Sequence, residues 1–298
     1  MINPITIAIA VVIFAVFSLC FFKFGGNIYG FFRIGSILPL SPYLDRQNAL
    51  IFQGELGFDG QQFLSLAFDP FLHDPDTLST LDSPRLRYRR ILYPFLGYCL
   101  GFGNLQLIPY VLIGINVLAI IFLVWLVGQD LKQTGRSTWQ SLGVLCIPGV
   151  WIVLVFSTAD LLNSLLGVAA LYGYKKQKKG FCGLAIAAAF LTKEISVMLG
   201  VALLLSSIRE KNWQQIPYLV AAFIPATIWH TYVLFKLRSQ GFLGVAENLG
   251  YPFIGIGQKI WSLGTGGFSG KNLFEVYSFF LLVGVFAVTL IISMRFPK

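Results

Sequence analysis

Residues 180–208, GFCGLAIAAAFLTKEISVMLGVALLLSSI, decide how many times this chain crosses a membrane. A spanning helix takes about 20 apolar residues. This stretch is too long for one ordinary span, and Lys193 and Glu194 interrupt it. It is either one long tilted helix or two short helices meeting at TKE. Charge separates the two readings, because cytoplasmic loops of membrane proteins collect Lys and Arg. With the break, and with the N-terminus inside, the inner loops hold Lys132, Arg136, KKQKK (175–179), REK (209–211), Arg295 and Lys298. That is ten basic residues against two acids inside, and twelve against eleven outside. Without the break, REK and the C-terminus fall on the wrong side. Lys23 and Arg33, on the outer flank of the first helix, argue the other way, but the dense inner loops outweigh them.

The rest of the chain fits this reading. Of 298 residues, 56% are hydrophobic and only 12% are charged, with a mean hydropathy of +0.74. A typical soluble domain is about 25% charged, so an ordinary soluble enzyme is excluded. The net charge of +9 is that of inner loops and does not point to nucleic acid. Further apolar segments lie at 4–23, 105–128, 138–157, 158–174, 213–236 and 272–294. The expectation is an all-α, polytopic protein of about eight transmembrane helices, a single transmembrane domain over 1–298, in a lipid bilayer. Residues 4–22 lack a basic leader and a small-residue cleavage site, so they read as a retained membrane helix. The cysteines Cys20, Cys99, Cys146 and Cys182 sit in apolar runs without metal or redox spacing and read as small buried hydrophobes.

Two long outer segments remain, 24–104 and 237–271. Loops of this length usually carry function or local structure. In the first, GQQFLSLAF (60–68) reads as a short amphipathic helix and RRILYPFLGYCL (89–100) as an apolar segment too short to span, both lying along the interface. The second is Gly-rich.

The first outer segment also concentrates polar chemistry. GFDGQQFLSLAFDP (57–70) holds Asp59 and Asp69, and SPRLRYRRILYP (83–94) holds Arg85, Arg87, Arg89 and Arg90. Asp59 reads equally as a general base or as a turn residue in FDGQ. Asp69, before Pro70, reads as a helix stop. Arginine clusters on the outer side run against the positive-inside rule, and guanidinium forks bind phosphate well. The competing reading is headgroup binding, or ion pairs with Asp74, Asp76 and Asp82. If 86–92 is helical, Arg87 and Arg90 share a face. Lys193 and Glu194 either face a substrate cavity or pair with each other. Asp160, in STADLLNS, reads first as a helix cap and otherwise as a cavity residue, as does Gln61. His73 with Asp74 and Asp76 is a weak metal motif, and His230 reads as a packed polar residue. The sequence implies no cofactor and leaves a divalent metal open.

FDGQQFLSLAFDP, LDSPRLRYRRILYPFL and FLTKE, in this order after an apolar first helix, resemble the GT-C superfamily of membrane glycosyltransferases. The likeness covers most of 1–210. It is similar to small bacterial proteins of cell-surface glycopolymer formation and, more distantly, to GPI mannosyltransferases. The resemblance implies a polyprenyl-phosphate sugar donor, with Asp59 as base toward the acceptor hydroxyl. It implies the arginine cluster and Lys193 at the donor phosphate, and Glu194 in the substrate cavity. The chain is shorter than many relatives and carries Phe58 where Tyr is frequent, and its size suggests a membrane protein partner. Two other readings share these features: a transporter or flippase for a lipid-linked sugar, and a non-catalytic subunit of a membrane complex. A transporter would carry broken helices in matching halves, and the sequence suggests only one break.

Overall fold

The computed structural model describes residues 3–238, together with Gly284. The chain divides into two units, Met1–Gly241 and Phe242–Lys298, and residues 3–238 belong to the first. The expected span at 272–294 and the outer segment from 239 onward lie outside the described residues, Gly284 excepted.

The described part is mostly helical, and three of its helices are long and apolar enough to cross a membrane. The first is α1 (Pro4–Ser18), continued by a π-helical turn over Leu19–Lys23. The second is α6 (Ile108–Gln133), and the third is the continuous stretch Ile216–Lys236. Asn3 caps α1 by accepting the Thr6 N–H at 2.9 Å. Large apolar side chains along Pro4–Lys23 remain exposed, Phe14 of α1 at 71% and Phe22 of the π-helical turn at 86%. With 26 residues, α6 is about 39 Å long at ~1.5 Å per residue. It is the central element, packing against α1 and against both flanking clusters of core residues.

Between α1 and α6, segment 24–104 is folded rather than loose. A 3-10 helix over Ile28–Phe32 leads into β1 (Ile34–Gly35), which pairs in parallel with β2 (Ile51–Phe52). Then come α2 (Asp59–Phe68), α3 (Asp76–Ser79), α4 (Pro84–Arg89) and α5 (Leu92–Leu100). Phe31, Phe32, Phe63, Leu64 and Tyr93 pack onto Ile108 and Leu112 of α6 in one core. The expected interfacial placement of 60–68 is corrected here, since every residue from Gly60 to Phe68 is buried. Its polar face tolerates burial because most of it is hydrogen-bonded, Gln61 Nε2 excepted. Gln61 Oε1 accepts the Gly35 N–H at 2.9 Å, Gln62 Oε1 accepts the Asp82 N–H at 3.1 Å, and Ser65 donates to the Gln61 carbonyl.

After α6, only the expected span at 213–236 is matched by a single helix long and apolar enough to cross a membrane among the described residues. Segment 138–157 is not one helix but a 3-10 helix, Thr138–Cys146, and α7 (Pro148–Phe156), bent by 57°. Pro148 is the cause: it excludes Ile147 from the helical region, and Ile147 is extended at φ −80°, ψ 113°. Next is α8 (Asp160–Lys175). The opening stretch is broken at TKE: α9 (Lys179–Thr192) stops, Lys193 is extended at φ −158°, ψ 128°, a 3-10 turn covers Glu194–Ser196, and α10 (Val197–Arg209) continues. The last described stretch comprises α11 (Ile216–Ala221) and α12 (Phe223–Lys236). Cys182 is buried, but Cys99 and Cys146 are exposed on apolar helical surface, correcting their reading as interior residues.

Candidate functional site

The N-terminus of α2 fixes the first functional side chain. Asp59 is its first residue, where a carboxylate is favoured by the helix dipole. Gly60 follows because a Cβ there would run into the Phe156 carbonyl oxygen at the end of α7. Phe58 stacks on Phe156, with ring centroids 4.2 Å apart and planes 1° from parallel. These contacts lock the start of α2 to the turn between α7 and α8, where Ser157 adopts a left-handed conformation. Asp59 Oδ2 then lies 2.7 Å from Arg87 Nη1. Its other carboxylate oxygen has no hydrogen-bond partner among the described residues, and the side chain is 38% exposed.

Arg87 is a two-sided clamp. While Nη1 meets Asp59, Nε and Nη2 donate to the two oxygens of Asp82 at 2.9 and 2.7 Å. Burial works against the guanidinium charge, but Asp82 and Asp59 outweigh it and raise the Arg87 pKa. Burial likewise opposes the Asp82 charge, and the Arg87 fork overrides it, holding the carboxyl below the usual range.

The break at TKE supplies the other half. Arg90, just past the end of α4, donates through Nε at 2.9 Å and Nη2 at 2.6 Å to the two oxygens of Glu194. Burial pushes the Glu194 carboxyl up, but this bidentate pairing wins and holds it low. Lys193 pairs with Asp160 at the start of α8. Asp160 also accepts from Thr158 Oγ1 at 2.8 Å and feels the charge of Arg90. Behind it, Asn116 of α6 donates to Tyr93 Oη and to the Thr158 carbonyl. Four separate pieces of chain thus meet at the end of α4: the starts of α2 and α8, the α9–α10 break, and α4 itself.

Several expectations are corrected by this geometry. Arg87 and Arg90 do not share a helix face: α4 ends at Arg89, and the two guanidinium groups serve different carboxylates. Lys193 and Glu194 do not pair with each other. Asp160 is not the helix cap, which falls at Ala159; it is an ion-pair acceptor. Arg85 points away from the cluster and donates to the Leu237 and Arg238 carbonyls at the C-terminal end of α12. There it satisfies orphan carbonyls and complements the helix dipole. Gln61, 4% exposed, fastens α2 to β1 rather than facing a substrate cavity. The ion-pair alternative for the arginines holds for Asp82 alone among the three acids weighed.

Asp69 is the helix stop the sequence suggested, and more. As the C-cap of α2 it is 3% exposed and accepts the His73 and Asp74 N–H groups and the Thr77 hydroxyl, organising the loop to α3. His73 lies 3.5 Å from Asp69, and no group of three or more metal-ligating side chains forms among the described residues. Arg89 Nε has no hydrogen-bond partner among the described residues, and His230, read as a packed polar residue, feels the charge of Arg89. Nothing in TIWHTY (227–232) announces that neighbour, because it depends on how α12 docks on α4. Comparison of the chain with protein-family models, with curated proteins and with solved structures finds no match.

Proposed function

We propose that this chain is a multi-pass membrane glycosyltransferase of the GT-C type, moving a sugar from a polyprenyl-phosphate donor to a cell-envelope glycan or lipid acceptor. On this reading it has about eight spans in a bacterial cytoplasmic membrane, both termini are cytoplasmic, and the charge cluster faces outward. The observation that carries the proposal is the cluster itself: Asp59–Arg87, Arg90–Glu194 and Lys193–Asp160 gathered at the end of one short helix. Charges at or near membrane depth are costly and mark functional sites.

The chemistry follows from the groups. Asp59 takes the proton of the acceptor hydroxyl as that oxygen attacks the anomeric carbon. The bond from the anomeric carbon to the phosphate oxygen breaks, and its electron pair leaves with the phosphate. Arg90, Lys193 and Arg89 stabilise that developing charge. Arg87 acts through Asp59 and is a positioning residue: by holding one carboxylate oxygen it aims the other at the acceptor. The transporter reading gains little from the second break, at Ile147, because the two breaks are separated by α7, α8 and α9 and do not fall in matched halves of an inverted repeat.

The test is an Asp59→Asn variant assayed in membranes with a radiolabelled polyprenyl-phosphate sugar. Loss of transfer by a factor of at least ~100 with intact expression is expected. Unchanged transfer rejects Asp59 as the base. Analysis of lipid-linked glycans in cells lacking the protein identifies the sugar and acceptor.

A further inference from the structure

The helices that end at the charge cluster are short. α8, α9 and α10 have 16, 14 and 13 residues, about 24, 21 and 20 Å at ~1.5 Å per residue. A hydrocarbon core is about 30 Å thick. The stretch Pro4–Lys23, with 20 residues, matches that thickness, and α6, with 26, exceeds it. One protein thus presents two apolar thicknesses.

The short helices are aligned at one end. Lys175, the last residue of α8, pairs with Asp130 of α6 at 2.8 Å, Tyr174 donates to Glu210 just past α10, and Lys179 at the start of α9 bonds Gln214. The shortfall therefore falls at their other ends, where Asp160, Lys193 and Glu194 lie. Asn116, which donates to the Thr158 carbonyl, marks the cluster's level on α6, and the turns Ile108–Ile115 rise about 12 Å beyond it. Val12 packs in one core with Ile120 and Leu123, and Leu19 and Cys20 pack in another with Ile108 and Leu112. α1 therefore runs antiparallel to α6, and its Lys23 end also stands above the cluster.

In a bilayer of even thickness the cluster would be sunk about 10 Å into hydrocarbon, where charges are costly. Snorkelling does not relieve this. Arg90 and Lys193 are held by Glu194 and Asp160, and a carboxylate lacks the long stem that reaches the surface. The outward face of α10 and its lead-in turn has a matching limit. Ile195, Met198, Leu205 and Ile208 are exposed, no charge interrupts residues 195–208, and Glu194 and Arg209 close this band at its two ends. A bilayer meets a short apolar band by thinning.

We propose that the α8–α10 side of the molecule binds a locally thinned bilayer, about 20 Å of hydrocarbon against about 30 Å along α1, so that lipid headgroups descend to the level of Arg90, Lys193 and Glu194. The partner is the lipid itself, meeting the α10 face with its acyl chains. Thinning of this kind is independent of the reaction at the cluster, so loss of the glycosyltransferase reading leaves it standing.

A matched pair of cysteines tests it. The full chain, freed of its four native cysteines, is held in phosphatidylcholine nanodiscs, where both membrane surfaces are open to a water-soluble maleimide. Ile195 and Phe17 are similarly exposed, at 60% and 55%. They lie about 21 Å from Arg209 and about 20 Å from Pro4 along their helices. In an even bilayer Ile195→Cys and Phe17→Cys label equally slowly. With thinning, Ile195→Cys is expected to label at least ~10-fold faster, while Leu205→Cys, within the band, stays as slow as Phe17→Cys. Lengthening the acyl chains from fourteen to twenty-two carbons is expected to slow Ile195→Cys several-fold. Met198→Cys, expected to label at a rate between those of Ile195→Cys and Leu205→Cys, stands in if Ile195→Cys fails to fold. Labelling in denaturing detergent sets the full reactivity of each site. Equal, slow labelling of Ile195→Cys and Phe17→Cys overturns the proposal, because the bilayer is then even or the face is covered by the chain beyond residue 238 or by a second copy. Fast labelling of Ile195→Cys that ignores chain length also overturns it, replacing thinned lipid with a water-filled recess, as does fast labelling of Leu205→Cys.

Discussion

Arg87 Nη1 lies 2.7 Å from Asp59, and the same guanidinium grips Asp82 from its other edge. One buried cation therefore keeps two carboxylates apart, one on α2 and one just before α4. Removing it leaves two negative charges facing a space that nothing neutralises. Arg87→Leu is expected to lower stability by about 2–3 kcal/mol in detergent. That is below the range for fully buried pairs, because both aspartates are partly exposed. Arg87→Lys keeps the charge but not the fork, so it recovers only part of the loss. Thermal unfolding of the three proteins decides the matter, and wild-type stability in Arg87→Leu would show the clamp to be dispensable.

The same pairs set a dependence on acid. The Asp82 and Glu194 carboxyls sit below their ordinary values of 3.8 and 4.5 in the folded chain. A carboxyl lowered by folding stabilises the protein above its unfolded pKa, and that stabilisation is lost as pH falls through the folded value. The melting temperature is therefore expected to hold level from about pH 7 to about pH 5 and to drop below about pH 4. Asp82→Asn should melt earlier at neutral pH and show a shallower acid limb. A profile whose acid limb is unchanged in both Asp82→Asn and Glu194→Gln would falsify this assignment.

Gly60 carries a third prediction, in which two effects oppose. Alanine is the better helix former by about 1 kcal/mol. At this position, however, its Cβ meets backbone, the Phe156 carbonyl oxygen, which cannot rotate away as a side chain can. Overpacking of this kind costs about 1–3 kcal/mol, so the clash wins. Gly60→Ala is expected to be destabilised by a net ~1–2 kcal/mol and to lose transfer activity, since relief of the clash displaces Asp59. Unfolding midpoints and the polyprenyl-phosphate sugar assay read the two effects separately.

The sequence showed the helices and the break at TKE, because a run of apolar residues and the sidedness of Lys and Arg are properties of the chain itself. It also showed which segments hold the cluster. It did not show how the charges pair. Arg85 and Arg90 lie five residues apart in one basic run, yet one caps α12 and the other holds Glu194, 104 residues away. That choice depends on where α4 ends, and nothing in RLRYRR marks Arg89 as its last residue. The burial of 60–68 was hidden for a related reason. Its glutamines look solvent-seeking until Gly35 and Asp82, both distant in sequence, supply partners. His230 read only as a packed polar residue, because its surroundings come from packing between α12 and α4.

The Arg90–Glu194 pair connects the first outer segment to the TKE break, and its strength is measurable by a double-mutant cycle. No proline or glycine sits at residues 192–196, so local propensity does not account for the extended Lys193. The contacts that do are tertiary: Glu194 to Arg90, Lys193 to Asp160, and Ser196 to Asn163 at 2.6 Å. Arg90→Gln and Glu194→Gln are each expected to destabilise by about 1–2 kcal/mol, since each leaves a half-buried charge unmatched. The double variant should lose less than the sum, with a coupling of about 1 kcal/mol or more. Additive losses would mean that the pair does not hold the break open. A positive coupling together with weakened transfer in both single variants would tie the break to the chemistry, because Arg90 then has two partners in turn: Glu194 at rest and the donor phosphate during transfer.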